Sequence, residues 1–204
     1  MIVVHHLENS RSQRILWLLE ELGLPYEIKL YKRDRRTMRA PAELRAVHPL
    51  GKSPVVTDGD RTIAESGAII EYLVETYGVG RFEPPAGSAD RLRYRYFLHF
   101  AEGSMMPPLL MKLVFSRLPT GAPALVRPVA RAISQKALAT FVQPQLDQIL
   151  KFLESELANR DWFAGDDITA AGPIGRQPRK AGRSARDVGA EVEARMQRLR
   201  DRKP

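Results

Sequence analysis

Over its first 80 residues the chain changes hydrophobic period several times, and the order of those changes leaves few folds open to it. Residues 2–6 (IVVHH) form a short β-branched run and predict a strand. From Ser12 to Leu22 the apolar positions Ile15, Leu16, Leu19 and Leu22 recur at helical spacing, with Gly23 as C-terminal cap and Pro25 as stop. Tyr26–Tyr31 alternates with period two and predicts a second strand, and Lys32–Arg39 is a charged, solvated loop. Pro41–Val47 reads as a short helix that ends before Pro49. Pro54–Asp58 and Arg61–Ala64 are strands joined through Asp58-Gly59-Asp60, a hairpin turn signal. Ser66 then caps a helix to Tyr77 with Ile69, Ile70, Leu73 and Val74 inward. The order βαβαββα describes an α/β unit over residues 1–80, a parallel half followed by a hairpin.

Gly78–Ser88 is rich in Gly and Pro and reads as a linker. After it the pattern is all-α over residues 87–171. One amphipathic stretch runs from Asp90 to Phe115, bent or broken at Pro107-Pro108. A second runs from Ala124 to Leu157, with Pro128 and Pro144 inside it. Trp162 and Phe163 sit in a turn and need burial, and Thr169 is placed to cap one more helix. That helix does not follow. Residues 172–204 form an atypical arginine-rich tail of 8 Arg, 4 Ala, 4 Gly and 3 Pro, a composition that favours partial disorder.

Charge and composition exclude several classes. The net charge is +8, but residues 172–204 hold ten basic and four acidic groups, leaving 22 basic and 20 acidic in the remaining 171. The body is nearly neutral, which argues against a nucleic-acid binder. Cysteine is absent, so disulfides, thiolate metal sites and a cysteine nucleophile are excluded, and no metal is expected. No apolar run approaches the ~18 residues that span a membrane. The N-terminus lacks the basic leader and cleavage site of a signal peptide, so the expectation is a cytoplasmic protein without a membrane partner.

Four patterns in the first 70 residues carry chemistry. Ser10-Arg11-Ser12-Gln13-Arg14 lies where the first strand enters the first helix, where free N–H groups and a hydroxyl would stabilise an anion such as a thiolate. A serine that merely caps the helix would look the same. His48-Pro49-Leu50-Gly51-Lys52-Ser53-Pro54 enters a strand, and a proline there is a candidate cis peptide that would turn the Ser53 backbone outward to pair with an extended peptide. Glu65-Ser66 opens the next helix, offering N–H groups for a carboxylate and a carboxylate for an ammonium. Lys52 is placed to meet a second carboxylate, although a surface lysine is usually just solvated.

Taken together, SRSQR, HPLGKSP and ESGAI, in this order of elements, resemble the soluble glutathione transferases. The stretches HHLENSRSQRILWLLEELGLPYE and AEGSMMPPLL are similar to a serine-type bacterial and fungal branch, over residues 1–171. The resemblance implies a thioredoxin-like N-terminal domain followed by an α-helical domain, and an enzyme that joins the thiolate of glutathione to small electrophiles, with peroxidase activity possible beside it. It implies Ser10 as the residue that activates the thiol, with Asn9 and Ser12 as substitutes. Ser53 ahead of Pro54 would pair with the cysteinyl unit, Glu65 and Ser66 would hold the γ-glutamyl end, and Lys52 the glycyl carboxylate. Met105, Met106 and Leu109 are candidates for the electrophile pocket, though plain helix packing would use the same residues. A homodimer is also implied. A non-catalytic binding module of the same fold, or a glutathione-dependent disulfide reductase working through Asn9 or Ser10, are the alternatives.

The sequence departs from the family at its end. Thr169 is followed by Ala170, Ala171 and Gly172, where a capping box and a buried helix are expected. Our hypothesis is a truncated helical domain produced by a reading-frame shift near codon 171; it fails if no other frame of the DNA encodes an apolar helix.

Overall fold

The period-two segments pair into one four-stranded sheet. In the computed structural model, which describes residues 1–171, the strands are β1 (Ile2–Leu7), β2 (Tyr26–Tyr31), β3 (Val55–Asp58) and β4 (Arg61–Ala64). Their order is β2-β1-β3-β4, so the first strand is central. β1 runs parallel to β2, with Val4 opposite Ile28, and antiparallel to β3, with Val4 opposite Val56. β3 and β4 form the expected antiparallel hairpin. A central strand is covered on both faces, which is why β1 reads as a run rather than as an alternation.

The helices divide between those faces. α1 (Gln13–Leu22) and α3 (Ser66–Tyr77) pack side by side, while α2 (Ala42–Val47) contributes Leu44 to a cluster with Leu7 and Tyr31. Alternation along β1 therefore turns Val4 and His6 to the face opposite Leu7, where His6 meets Ser12 at the entry to α1. α1 buries Ile15, Leu16, Trp17, Leu18 and Leu19. Each such aliphatic side chain contributes about 1.5–3 kcal/mol of transfer free energy. α1 ends as expected at Gly23, whose φ of 70° lets its N–H reach the Glu20 carbonyl while Leu24 N–H reaches Leu19.

The chain divides into two compact units, Met1–Pro85 and a helical unit beginning at Ala86. Ser88 caps α4 (Ala89–Phe100) by accepting the Arg91 N–H at 3.1 Å. Pro107, Pro128 and Pro144 all stand in the first turn of a helical segment. A π-turn at Ala101–Met105 precedes α5 (Met106–Gly121), and Pro107 and Pro108 occupy the first turn of the resumed helix. A 3₁₀ turn at Ala124–Val126 leads into α6 (Arg127–Ala137), with Pro128 in its first turn. A second π-turn at Leu138–Val142 precedes α7 (Gln143–Leu157), with Pro144 likewise. Widening the turn by one residue lets the helix pass proline rings that lack an N–H.

Trp162 and Phe163 are buried, as a turn carrying two aromatics requires. Phe163 packs on Phe97 with the rings tilted and their centroids 4.6 Å apart, and Phe97 also packs against Phe100 and Phe152. Arg93 fastens this turn by donating to the Phe163 carbonyl at 2.6 Å and pairing with Glu156. Thr169, Ala170 and Ala171 are buried, and the tail expected to follow them lies outside the described residues. Among the described residues no helix is long and apolar enough to cross a membrane.

His5, on the α2 face, bonds through Nδ1 to the Tyr31 hydroxyl at 2.8 Å and through Nε2 to Thr57 Oγ1 at 3.2 Å. Burial, aided by Lys29, holds its pKa below the ordinary 6.5. The unfolded chain therefore takes up this proton first as pH falls, so stability declines below about pH 6.5. Urea unfolding of wild type and His5→Gln across this range checks it: the difference in slope should sit below that pH.

Candidate functional site

At the end of β1 the chain turns through Asn9, which is exposed and has a left-handed φ of 53°. The turn brings three hydroxyls together. Ser12 occupies the N-cap position of α1 but makes no side-chain cap; it is wholly buried and its Oγ lies 2.5 Å from His6 Nδ1. Ser10 Oγ is 2.8 Å from Ser12 Oγ and 3.2 Å from Ser53 Oγ. Ser53 in turn donates to the His5 carbonyl at 2.8 Å and accepts the Leu7 N–H at 3.2 Å. Neither Ser10 nor Ser12 is the capping serine that the sequence also allowed.

The peptide between Ser53 and Pro54 is cis, as the loop pattern suggested. Beside it lies a small pocket lined by Lys52, Ser53, Pro54, Glu65 and Ser66, together with Arg11 and His48. All five residues predicted to bind one ligand thus share one wall. Arg11 and His48 were given no role from the sequence; both lie inside motifs that were quoted, and no spacing rule marked them.

The start of α3 corrects one expectation. Ser66 is not its cap but its first helical residue, 4% exposed, and among the described residues its hydroxyl has no hydrogen-bond partner. A buried hydroxyl left unpaired costs about 1–3 kcal/mol, which an incoming acceptor would recover. Glu65 takes the cap position with a φ of 73°, unusual for a residue with a side chain, and also makes no side-chain cap. Neither side chain therefore satisfies the first N–H groups of α3. Burial, with the Arg11 charge adding to it, lowers the pKa of Arg14 at the entry to α1.

In the helical unit Met105 closes the first π-turn, Met106 opens α5, and both are half-buried; Leu109 is exposed one turn on. An apolar pocket of about 760 Å³ lies further along α5 and α6, lined among others by Leu113, Val114, Leu118, Val129 and Ile133. The three predicted residues are not in its lining.

Comparison with known proteins fits this geometry. The glutathione S-transferase N-terminal domain model matches residues 10–76, and the C-terminal domain model matches 116–172. Glutathione S-transferase 3 of Schizosaccharomyces pombe is 40% identical over 174 residues, covering 85% of this chain and 71% of that protein. The chain belongs to the glutathione S-transferase family. Glutathione S-transferase 1 of Saccharomyces cerevisiae is 33% identical over 189 residues, covering 85% and 80%. A crystal structure of a glutathione S-transferase from Actinobacillus pleuropneumoniae is 34% identical with a TM-score of 0.64, covering 84% of this chain and 73% of that one. The transferase URE2P8 of Phanerochaete chrysosporium, solved with oxidized glutathione, shares the fold at 22% identity and a TM-score of 0.65, covering 83% and 73%. The N-terminal unit is the family's thioredoxin-like domain, and the second is its α-helical domain.

The backbone at Glu65 makes a test of this candidate site. A left-handed residue with a side chain stores about 1–3 kcal/mol, which glycine would release. Glu65→Gly should raise the urea midpoint while weakening glutathione binding, measured by calorimetry on the same sample.

Proposed function

We propose that the protein binds glutathione in the N-terminal pocket and joins the tripeptide, through its sulfur, to small electrophiles. The observation that supports this most is the buried, unpartnered Ser66 hydroxyl at the open end of α3, on the same wall as Lys52 and the cis Ser53–Pro54 peptide. Glutathione has matching parts: two carboxylates, one ammonium and a thiol along an extended backbone. In this reading the Ser53 backbone pairs with the cysteinyl unit, and Ser66 with the α3 N–H groups receives the γ-glutamyl carboxylate. Glu65 takes the ammonium and Lys52 the glycyl carboxylate.

The chemistry follows from the thiol. A free thiol titrates near about 8.5 and is mostly protonated at neutral pH, whereas the thiolate is the nucleophile. Ser10 donates a hydrogen bond to sulfur, and the end of α1 with its guanidinium groups adds positive potential, so the ionised form is favoured. The thiolate then attacks carbon, an S–C bond forms, and a leaving group departs or a double bond accepts the electron pair. Ser12, wholly buried and bonded to His6, is the poorer direct partner for sulfur, and Asn9 serves the turn. Met105, Met106 and Leu109 would accept the electrophile through adaptable apolar contact. Glutathione is the only co-substrate in this reading, and no metal takes part. The working form is a cytoplasmic homodimer; exposed Leu110, Val129 and Ile133 on α5 and α6 make self-association favourable.

Retention on immobilised glutathione with elution by the free tripeptide, followed by conjugation to an activated aryl halide, tests the function. Ser10→Ala should lower kcat roughly tenfold at neutral pH for each unit by which the thiol pKa rises, with KM for glutathione little changed. Full conjugation by that variant would rule out Ser10 as the activating residue.

A further inference from the structure

The hydroxyl cluster has a direction, and His6 sets it. A serine hydroxyl carries one proton and two lone pairs. Ser53 spends its proton on the His5 carbonyl, which only accepts, and one lone pair on the Leu7 N–H. The 3.2 Å contact with Ser10 can therefore be a hydrogen bond only if Ser10 donates. Once the Ser10 proton points to Ser53, the 2.8 Å contact with Ser12 needs Ser12 as donor. Ser12 then has no proton left for His6, so the 2.5 Å contact requires an N–H at Nδ1. The bonds run one way, from His6 Nδ1 through Ser12 and Ser10 to Ser53 and the carbonyl of His5. The opposite ring tautomer would turn the Ser10 proton toward Ser12 and leave two oxygens facing at Ser53 with no proton between them.

We propose that His6 is a positioning residue for glutathione activation: by donating from Nδ1 to Ser12, it keeps the single proton of Ser10 aimed at the Ser53 side of the cluster, where the thiolate would receive it. The inference rests on Ser10 as the residue that meets sulfur. When glutathione binds, the Ser10 hydroxyl swings from Ser53 to the thiolate, and the hydrogen bond it accepts from Ser12 strengthens the one it donates. His6 is 2% exposed and does not touch the substrate in this scheme. No proton leaves the chain; only the acceptor of the Ser10 proton changes.

The test is the pKa of the enzyme-bound glutathione thiol, read from thiolate absorbance against pH, together with kcat and KM. Arg11, Arg14, Lys52 and Glu65, the charged groups around the cluster and pocket, stay unchanged throughout. His6→Leu and Ser12→Ala should each raise the bound thiol pKa by about one unit and lower kcat about tenfold at neutral pH, with KM for glutathione within about twofold. His6→Asn, whose amide can donate near the Nδ1 position, should recover most of the loss. The double variant His6→Leu/Ser12→Ala should be no worse than either single one, because both cut the same chain. An additive double variant, or a thiol pKa unmoved by Ser12→Ala, would overturn the proposal. If His6→Leu does not fold, Ser12→Ala and His6→Asn decide it alone. A rise on Ser10→Ala without one on Ser12→Ala removes only the role of His6, whereas no rise on Ser10→Ala removes the Ser10 reading and this inference with it.

Discussion

The antiparallel ladder between β1 and β3 stops at His5 opposite Val55, and a side chain carries it one step further. Ser53, two residues before β3, accepts the Leu7 N–H and donates to the His5 carbonyl, just where the backbone ladder ends. That double contact fastens the loop carrying the cis peptide to the end of the central strand. It also places the Ser53 hydroxyl within reach of Ser10, so the loop that would bind the peptide backbone and the turn that would meet the sulfur share one anchor. Without it, Lys52, Ser53 and Pro54 would be held only by their neighbours in a loop, and the pocket wall would lose its register with α1 and α3.

The site lies where a mixed sheet of this kind is expected to leave room for a ligand. β1 is paired on both sides, so its side chains are committed to packing, and only the segments just beyond its end are available for chemistry. α1 and α3 both begin near that end, and each brings N–H groups that no helical carbonyl can satisfy. At neither helix does a side chain cap them, although serines stand at or beside both positions. Ser12 is diverted to His6, and Ser66 is drawn into the first turn and buried. Foregoing two ordinary caps costs about 0.5–2 kcal/mol each, a cost consistent with helix ends kept open for a ligand.

Much of this was legible in the sequence because the relevant signals are local. Period-two runs, the Gly23 stop, the Asp58-Gly59-Asp60 turn and the proline entering β3 each depend on a few adjacent residues, and the elements follow. What was not legible depends on distance or on backbone detail. Ser66 looked like a cap because a serine before an apolar helix normally is one; only the left-handed backbone of Glu65 shifts the helix start by a residue. Pro107-Pro108 read as a bend or break because sequence shows the missing N–H but not the π-turn that precedes it. His6 read as part of a strand, and its contact with Ser12 arises only when β1 and α1 are folded together. Arg11 and His48 joined the pocket for the same reason.

The proposed function puts glutathione along the cis peptide, between the ends of α1 and α3. Amide chemical shifts of the labelled protein titrated with glutathione test it most directly. Saturable shifts concentrated at Leu7, Ser10, Lys52, Ser53, Ser66 and Gly67 are the expected result. Shifts gathered instead along the apolar pocket of α5 and α6, or none in a folded sample at high ligand concentration, would contradict it.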